Sequence, residues 1–128
     1  MSFSAIQRDE LIVPFVVFAN DLPAARTETA AEVLAVVAPP TNCTVVGLNV
    51  SFAVGTGTTK SATVTILRVG GAVLGTAAAS VDATPVRTAL SISFARGEAI
   101  QINIASGHTD NVFEGLLVWL DIQVVPDA

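Results

Sequence analysis

A thiol, an imidazole and a carboxylate are the parts of a nucleophilic site, and the two rarer parts occur once each in this chain, as Cys43 and His108. With Asp110 or Asp82 to orient its ring, His108 could take the proton of Cys43 and release a thiolate. The local contexts point elsewhere. Cys43 lies in "TNCTVV", at the entrance to a β-branched run where a cysteine reads as a small buried apolar group, and His108 lies in the polar turn "SGHTDN". "GHTDNVFE" also offers His108, Asp110, Asn111 and Glu114 as nitrogen and oxygen ligands. Their spacing supplies neither the offsets of a calcium loop nor the cysteines and histidines of a closed zinc site, so a solvated turn is the simpler reading. "GTGTT" at 55–59 lacks the Gly-Lys-Ser/Thr ending that cradles phosphate and reads as a hairpin. "NCT" and "NVS" match glycosylation sequons at Asn42 and Asn49, but the pattern is common by chance and Asn49 falls inside a strand. No catalytic residue, metal or cofactor is expected.

The elements that would position these groups follow a period of two from residue 43 onward. "SATVTILRV" sets Ala62, Val64 and Ile66 against Thr63 and Thr65; "ALSISF" sets Leu90, Ile92 and Phe94 against Ser91 and Ser93; "AIQINIA" sets Ile100, Ile102 and Ile104 against Gln101 and Asn103. Such alternation describes half-buried antiparallel strands. Turn signals separate them, with "GG" at 70 and 71 as a two-residue hairpin turn, then "DATP" at 82–85 and "ARGE" at 95–98. Short strands and turns at this spacing predict a β-sandwich or barrel. In "TETAAEVLAVVA", 27–38, Thr29 and Glu32 could form a helix capping box, but the valines and the unbroken apolar run before "PP" favour a strand. The last strand, "VFEGLLVWLDIQVV", is apolar on both faces: Leu116, Val118, Leu120 and Ile122 on one, Phe113, Leu117 and Trp119 on the other. Such a strand is either central and covered twice or lies where one subunit meets another; the second is expected for part of its length, with Leu117 and Trp119 as the oligomer contacts.

Composition agrees with association. Of 128 residues 52% are hydrophobic and 13% charged, where about 25% charged is ordinary for a soluble domain. Part of the surface is therefore expected to be covered by other chains. The net charge is −5, and Arg8, Arg26, Lys60, Arg68, Arg87 and Arg96 are scattered, so neither a basic patch nor a stacking platform for nucleic acid is present in the sequence. The uncharged stretch from Val33 to Thr59 holds Pro39, Pro40 and three glycines, which does not describe a membrane helix. "MSFSAIQRDE" has no cationic start and apolar core of a signal peptide, so intracellular synthesis is expected. Near the start, "LIVPFVVFA" (11–19) is too apolar to stand in water. Pro14 confines it to a sheet edge or bulge, and an edge of this kind needs covering. The expectation is an N-terminal arm or edge strand over residues 1–26, ahead of a sandwich domain over 27–128. Leu11, Ile12, Val13, Phe15, Val16 and Phe18 would make the partner contact by adding a strand to a neighbouring subunit.

The succession "APPTNCTVVGLNVSF", "SATVTILRVGG", "ALSISFARGEAIQINIASG" and "FEGLLVWLDI" resembles the small jelly-roll domains of tailed-bacteriophage capsid decoration, or cement, proteins and of some fibre and spike modules. The resemblance spans roughly residues 30–125 and is one of pattern, with no signature residue. It implies an all-β antiparallel β-sandwich of jelly-roll type with an N-terminal arm. It further implies a non-enzymatic homotrimer on the virion exterior, assembled in the host cytoplasm, that grips the major capsid protein and stabilises the shell, without nucleic acid or membrane as partner. The alternative is a carbohydrate- or receptor-binding module in which Trp119, His108, Asp110 and Asn111 line a shallow site.

Overall fold

A computed structural model describes residues 11–22, 32–57, 60–105 and 111–124. Among these the chain is all-β: β1 (Ile12–Leu22), β2 (Glu32–Val37), β3 (Cys43–Ser51), β4 (Val54–Thr56), β5 (Ala62–Arg68), β6 (Val73–Ala79), β7 (Val86–Phe94), β8 (Ile100–Ala105) and β9 (Val112–Val124). Two antiparallel sheets face each other as a β-sandwich. One has the order β1-β9-β3-β7, with β4 extending β3 along β9; the other has the order β2-β8-β5-β6. The pairings are nested: β1 with β9, β2 with β8, β3 with β7, and β5 with β6. β3 with β9 and β5 with β8 then close each sheet.

The period-two residues meet between the sheets. Ala62, Val64, Ile66, Ile100, Ile102 and Ile104 from one sheet face Val45, Leu48, Val50, Leu116, Val118 and Leu120 from the other, all essentially without exposure. Leu90 and Ile92 pack at the margin of this cluster and Phe94 inside it. Thr63, Thr65, Gln101 and Asn103 lie on the other side of their strands and are half-buried. Residues 32–37 are a strand, as the valines predict, because packing on β8 decides against a short isolated helix.

The turns do different work from that expected of two of them. "GTGTT" does not join a hairpin: Gly55 and Thr56 lie in β4, which pairs with β9, while β5 belongs to the opposite sheet, so the chain passes between sheets after β4. "DATP" and "ARGE" are also crossings, from β6 to β7 and from β7 to β8. β5–β6 is the one hairpin between consecutive described strands. Its turn spans Arg68–Gly71, with Gly71 N–H donating to the Arg68 carbonyl at 2.8 Å, and Gly70 occupies the third position with φ 77°. The glycines therefore sit one place later than a two-residue turn requires.

Phe113 departs from the face expected for it. Strict alternation along β9 would put it beside Leu117 and Trp119, yet it is fully buried against Phe52, ring centroids 4.9 Å apart. Gly115 is the cause. Its φ of 64° makes a bulge, Glu114 and Gly115 are both exposed, and the inward parity shifts by one residue. β1 also departs from expectation. It pairs with β9 of its own chain, from Ile12 opposite Gln123 to Leu22 opposite Phe113, as an edge strand with a bulge between Val16 and Phe18. Pro14 is tolerated because one side of an edge strand has no ladder to complete. Val17 and Leu22 of β1 belong to the core, so the strand is part of the sandwich; the expected boundary at residue 26 lies outside the described residues.

Candidate functional site

The thiol–imidazole pair has no support in the described geometry. Cys43 is buried at the start of β3, opposite Phe94 and Val124, and burial pushes its thiol pKa up, away from the reactive thiolate. Asp82 lies past the other end of β3, where Ala83 N–H donates to the Phe52 carbonyl at 2.8 Å. At about 3.3 Å per residue the length of β3 separates the two groups by roughly 25 Å. Asp82 is instead a loop clamp: its Oδ1 accepts from Lys60 Nζ at 2.8 Å and from Gly55 N–H at 3.0 Å, and Lys60 also donates to the Gly55 carbonyl at 2.9 Å. His108 and Asp110 lie outside the described residues. Asn111 is buried and Glu114 is exposed on the Gly115 bulge, and no metal-ligand cluster is found among the described residues. No cleft opens among them either.

What the structure does assemble is a surface. Register places Val16 opposite Trp119 and Ala19 opposite Leu117, so the two sets of residues expected to serve separate contacts are neighbours on one sheet. Ile12 and Val16 are about half exposed, at 52% and 53%, and Leu117 and Trp119 are half-buried on the face turned from the core. Leu11, also exposed, lies at the start of this edge, where its carbonyl accepts from Val124 N–H at 3.3 Å. Val13, Phe15 and Phe18 do not join them: they pack against the core from its margin, Val13 and Phe15 because β1 alternates, and Phe18 because the bulge between Val16 and Phe18 shifts the parity by one residue. The expected six-residue contact thus divides, with Leu11, Ile12 and Val16 outward and the other three inward.

Beside Trp119 the face becomes polar. Asn49 is opposite Trp119 across the β3–β9 pair and Arg87 is opposite Asn49 across β3–β7. Asn49 is only 4% exposed, and its Nδ2 donates to Asp121 Oδ2 at 3.1 Å and to the Trp119 carbonyl at 3.3 Å. Arg87 Nε donates to the same Asp121 oxygen at 2.8 Å and its Nη2 to the Val46 carbonyl at 3.1 Å. Gly47 makes room, since a Cβ there would stand 2.6 Å from Arg87 Nε. This network holds Asn49 inside the fold, not out for glycosylation. Period two alone puts Asp121 on the Trp119 face; what the sequence does not announce is that Asn49 and Arg87 arrive there from two other strands.

Three of the described cations are committed to ion pairs at 2.8 Å: Lys60 with Asp82, Arg68 with Glu98, and Arg87 with Asp121. Arg68 also lies over the Phe94 ring, 4.6 Å from its centroid. These basic side chains tie loops and strands together. Among the described residues no helix is long and apolar enough to cross a membrane. Comparison with protein-family models, with curated proteins and with solved structures finds no significant match to this chain.

Proposed function

We propose that the chain is a non-catalytic structural protein of jelly-roll type, a capsid decoration or cement protein that associates as a homotrimer and binds a major capsid protein on the virion exterior. The observation that carries this reading is the apolar outer face made by Ile12, Val16, Ala19, Leu117 and Trp119, joined by register across β1 and β9. The jelly-roll reading draws on the nested pairing: if β4 is taken as a continuation of β3, the first strand pairs with the last and each following strand with the corresponding earlier one, as when a long antiparallel ribbon folds over on itself. A contact that removes on the order of 500 Å² of apolar surface at about 25 cal/mol per Å² supplies roughly 12 kcal/mol before the costs of association.

The test is co-sedimentation with undecorated, expanded tailed-phage capsids, using the wild-type chain and Val16→Asp. Val16 is half exposed, so the substitution leaves the sandwich folded, checked by circular dichroism. The wild type pellets with the capsids and Val16→Asp stays in solution; equal behaviour of the two overturns the assignment of this face. A second reading has its own observation: Trp119 lies near the partly exposed Asp121 and Arg87, an aromatic surface next to polar groups of the kind that binds a sugar ring. Binding on a glycan array that is lost in Trp119→Ala would favour that module over a shell protein.

A further inference from the structure

We propose that the outer edge of β6 is a second association site, at which a copy of this chain adds its own β6 antiparallel across a two-fold axis, independently of the Trp119 face. Every strand at the margin of a sheet presents unpaired backbone groups, and proteins guard such edges with charge, proline or bulges. The four margins here differ. β1 carries Pro14 and a bulge, β2 carries Glu32 and a bulge, and β7 carries Arg87 and receives Arg68 Nη2 on its Ser93 carbonyl at 2.6 Å. β6, "VLGTAAA", has neither charge nor proline, and its irregularity is confined to Leu74, next to the hairpin turn. From Gly75 to Ala79 it pairs regularly with β5, and every second residue turns its N–H and C=O the other way. Among the described residues, the one hydrogen bond to the β6 backbone from beyond its own sheet is that from the Thr88 hydroxyl to the Thr76 carbonyl, at 2.8 Å.

Exposed apolar side chains also flank this edge. Val69, Val73 and Val81 are the three most exposed large hydrophobic residues described, at 58%, 57% and 59%, and Leu74 adjoins them. They flank β6 at both ends. A two-fold axis at Ala77 sets Gly75 opposite Ala79 of the second copy and Thr76 opposite its Ala78, and it brings Val73 of each copy to Val81 of the other. A second copy fits this edge better than an unrelated strand because self-pairing sets like beside like. Any charge on β6 would approach its own kind, and β6 has none; the charges nearest its two ends are already neutralised, Arg68 by Glu98 and Asp82 by Lys60. With a net charge of −5 per copy, such a neutral edge is where two copies can approach.

The experiment uses the full chain. Thr76→Lys and Ala78→Lys, both at exposed positions on the outer face, each halve the native mass measured by light scattering, while Trp119→Asp leaves this two-fold contact in place. The register is read by mild oxidation of variants that each carry one added cysteine. A mixture of Thr76→Cys and Ala78→Cys cross-links at least several-fold more than either alone, with Thr56→Cys as an exposed control, and the buried Cys43 stays unreactive in each. An unchanged mass in both lysine variants, or no excess of cross-linking in the mixture, overturns the proposal. Capsid binding by the lysine variants separates this outcome from failure of the outer-face reading, since that binding depends on Val16 and not on β6.

Discussion

Single residues decide where side chains point. Gly115 takes φ 64°, a region that costs other residues about 1–2 kcal/mol, and an added Cβ would come within 3.2 Å of the Ala53 Cβ. Its N–H also donates to Asp21 Oδ1 at 2.8 Å, tying the bulge to β1. Gly115→Ala should therefore lower stability by about 1–2 kcal/mol, read as a lower urea midpoint with an unchanged slope. Charged residues act at the loops. The hydrogen bond from Lys60, helped by Gly55 N–H, holds the Asp82 pKa below its ordinary range; Ala95 N–H and then Arg68 do the same for Glu98. Both carboxylates bind protons more readily when the chain is unfolded, so their stabilisation is in place above about pH 4.5 and is lost as pH falls through the lowered folded values. Urea midpoints measured from neutral pH down to about pH 2.5 should fall at the acid end. The double variant Asp82→Asn, Glu98→Gln should start lower at neutral pH and fall less steeply.

At the scale of elements, β1 is the strand whose role is easiest to misjudge. Its apolar sequence suggests an arm that could be removed, yet it supplies Val17 and Leu22 to the core and completes the ladder along β9. Removing residues 1–20 should unfold or markedly destabilise the domain, with loss of β-sheet circular dichroism and of a cooperative thermal transition. The substitution Val16→Asp should leave both intact. A truncated chain that folds with the wild-type midpoint would mean that β1 is a detachable arm. The β3–β4 break has a related cause: β4 resumes pairing with β9 just where Gly115 and the displaced Phe113 alter the register, and Phe52 fills the space between.

For the whole molecule, the two surfaces proposed for association are apolar or uncharged while each copy carries a net charge of −5. Added salt should screen the repulsion between copies and leave these contacts intact, so the native mass should hold or rise between about 0.05 M and about 0.5 M salt. A mass that falls with salt would point to ion pairs as the glue. Much of this architecture was legible beforehand. Alternation in "ALSISF" and "AIQINIA" identified the strands and the residues they bury, because a pleated strand turns successive side chains to opposite faces whatever its neighbours are. The same alternation in "LLVWLDI" placed Leu117 and Trp119 on the face turned from the core. What tertiary structure alone decided were the long-range choices: that Val16 lies beside Trp119, that Asn49 and Arg87 converge on Asp121, that Gly55 lies within β4, paired with Phe113, and not in a hairpin turn, and that one bulge at Gly115 sends Phe113 to the core. Periodicity is a property of a few consecutive residues, whereas pairing and register come from burying all the apolar faces at once, and no short stretch of sequence contains that condition.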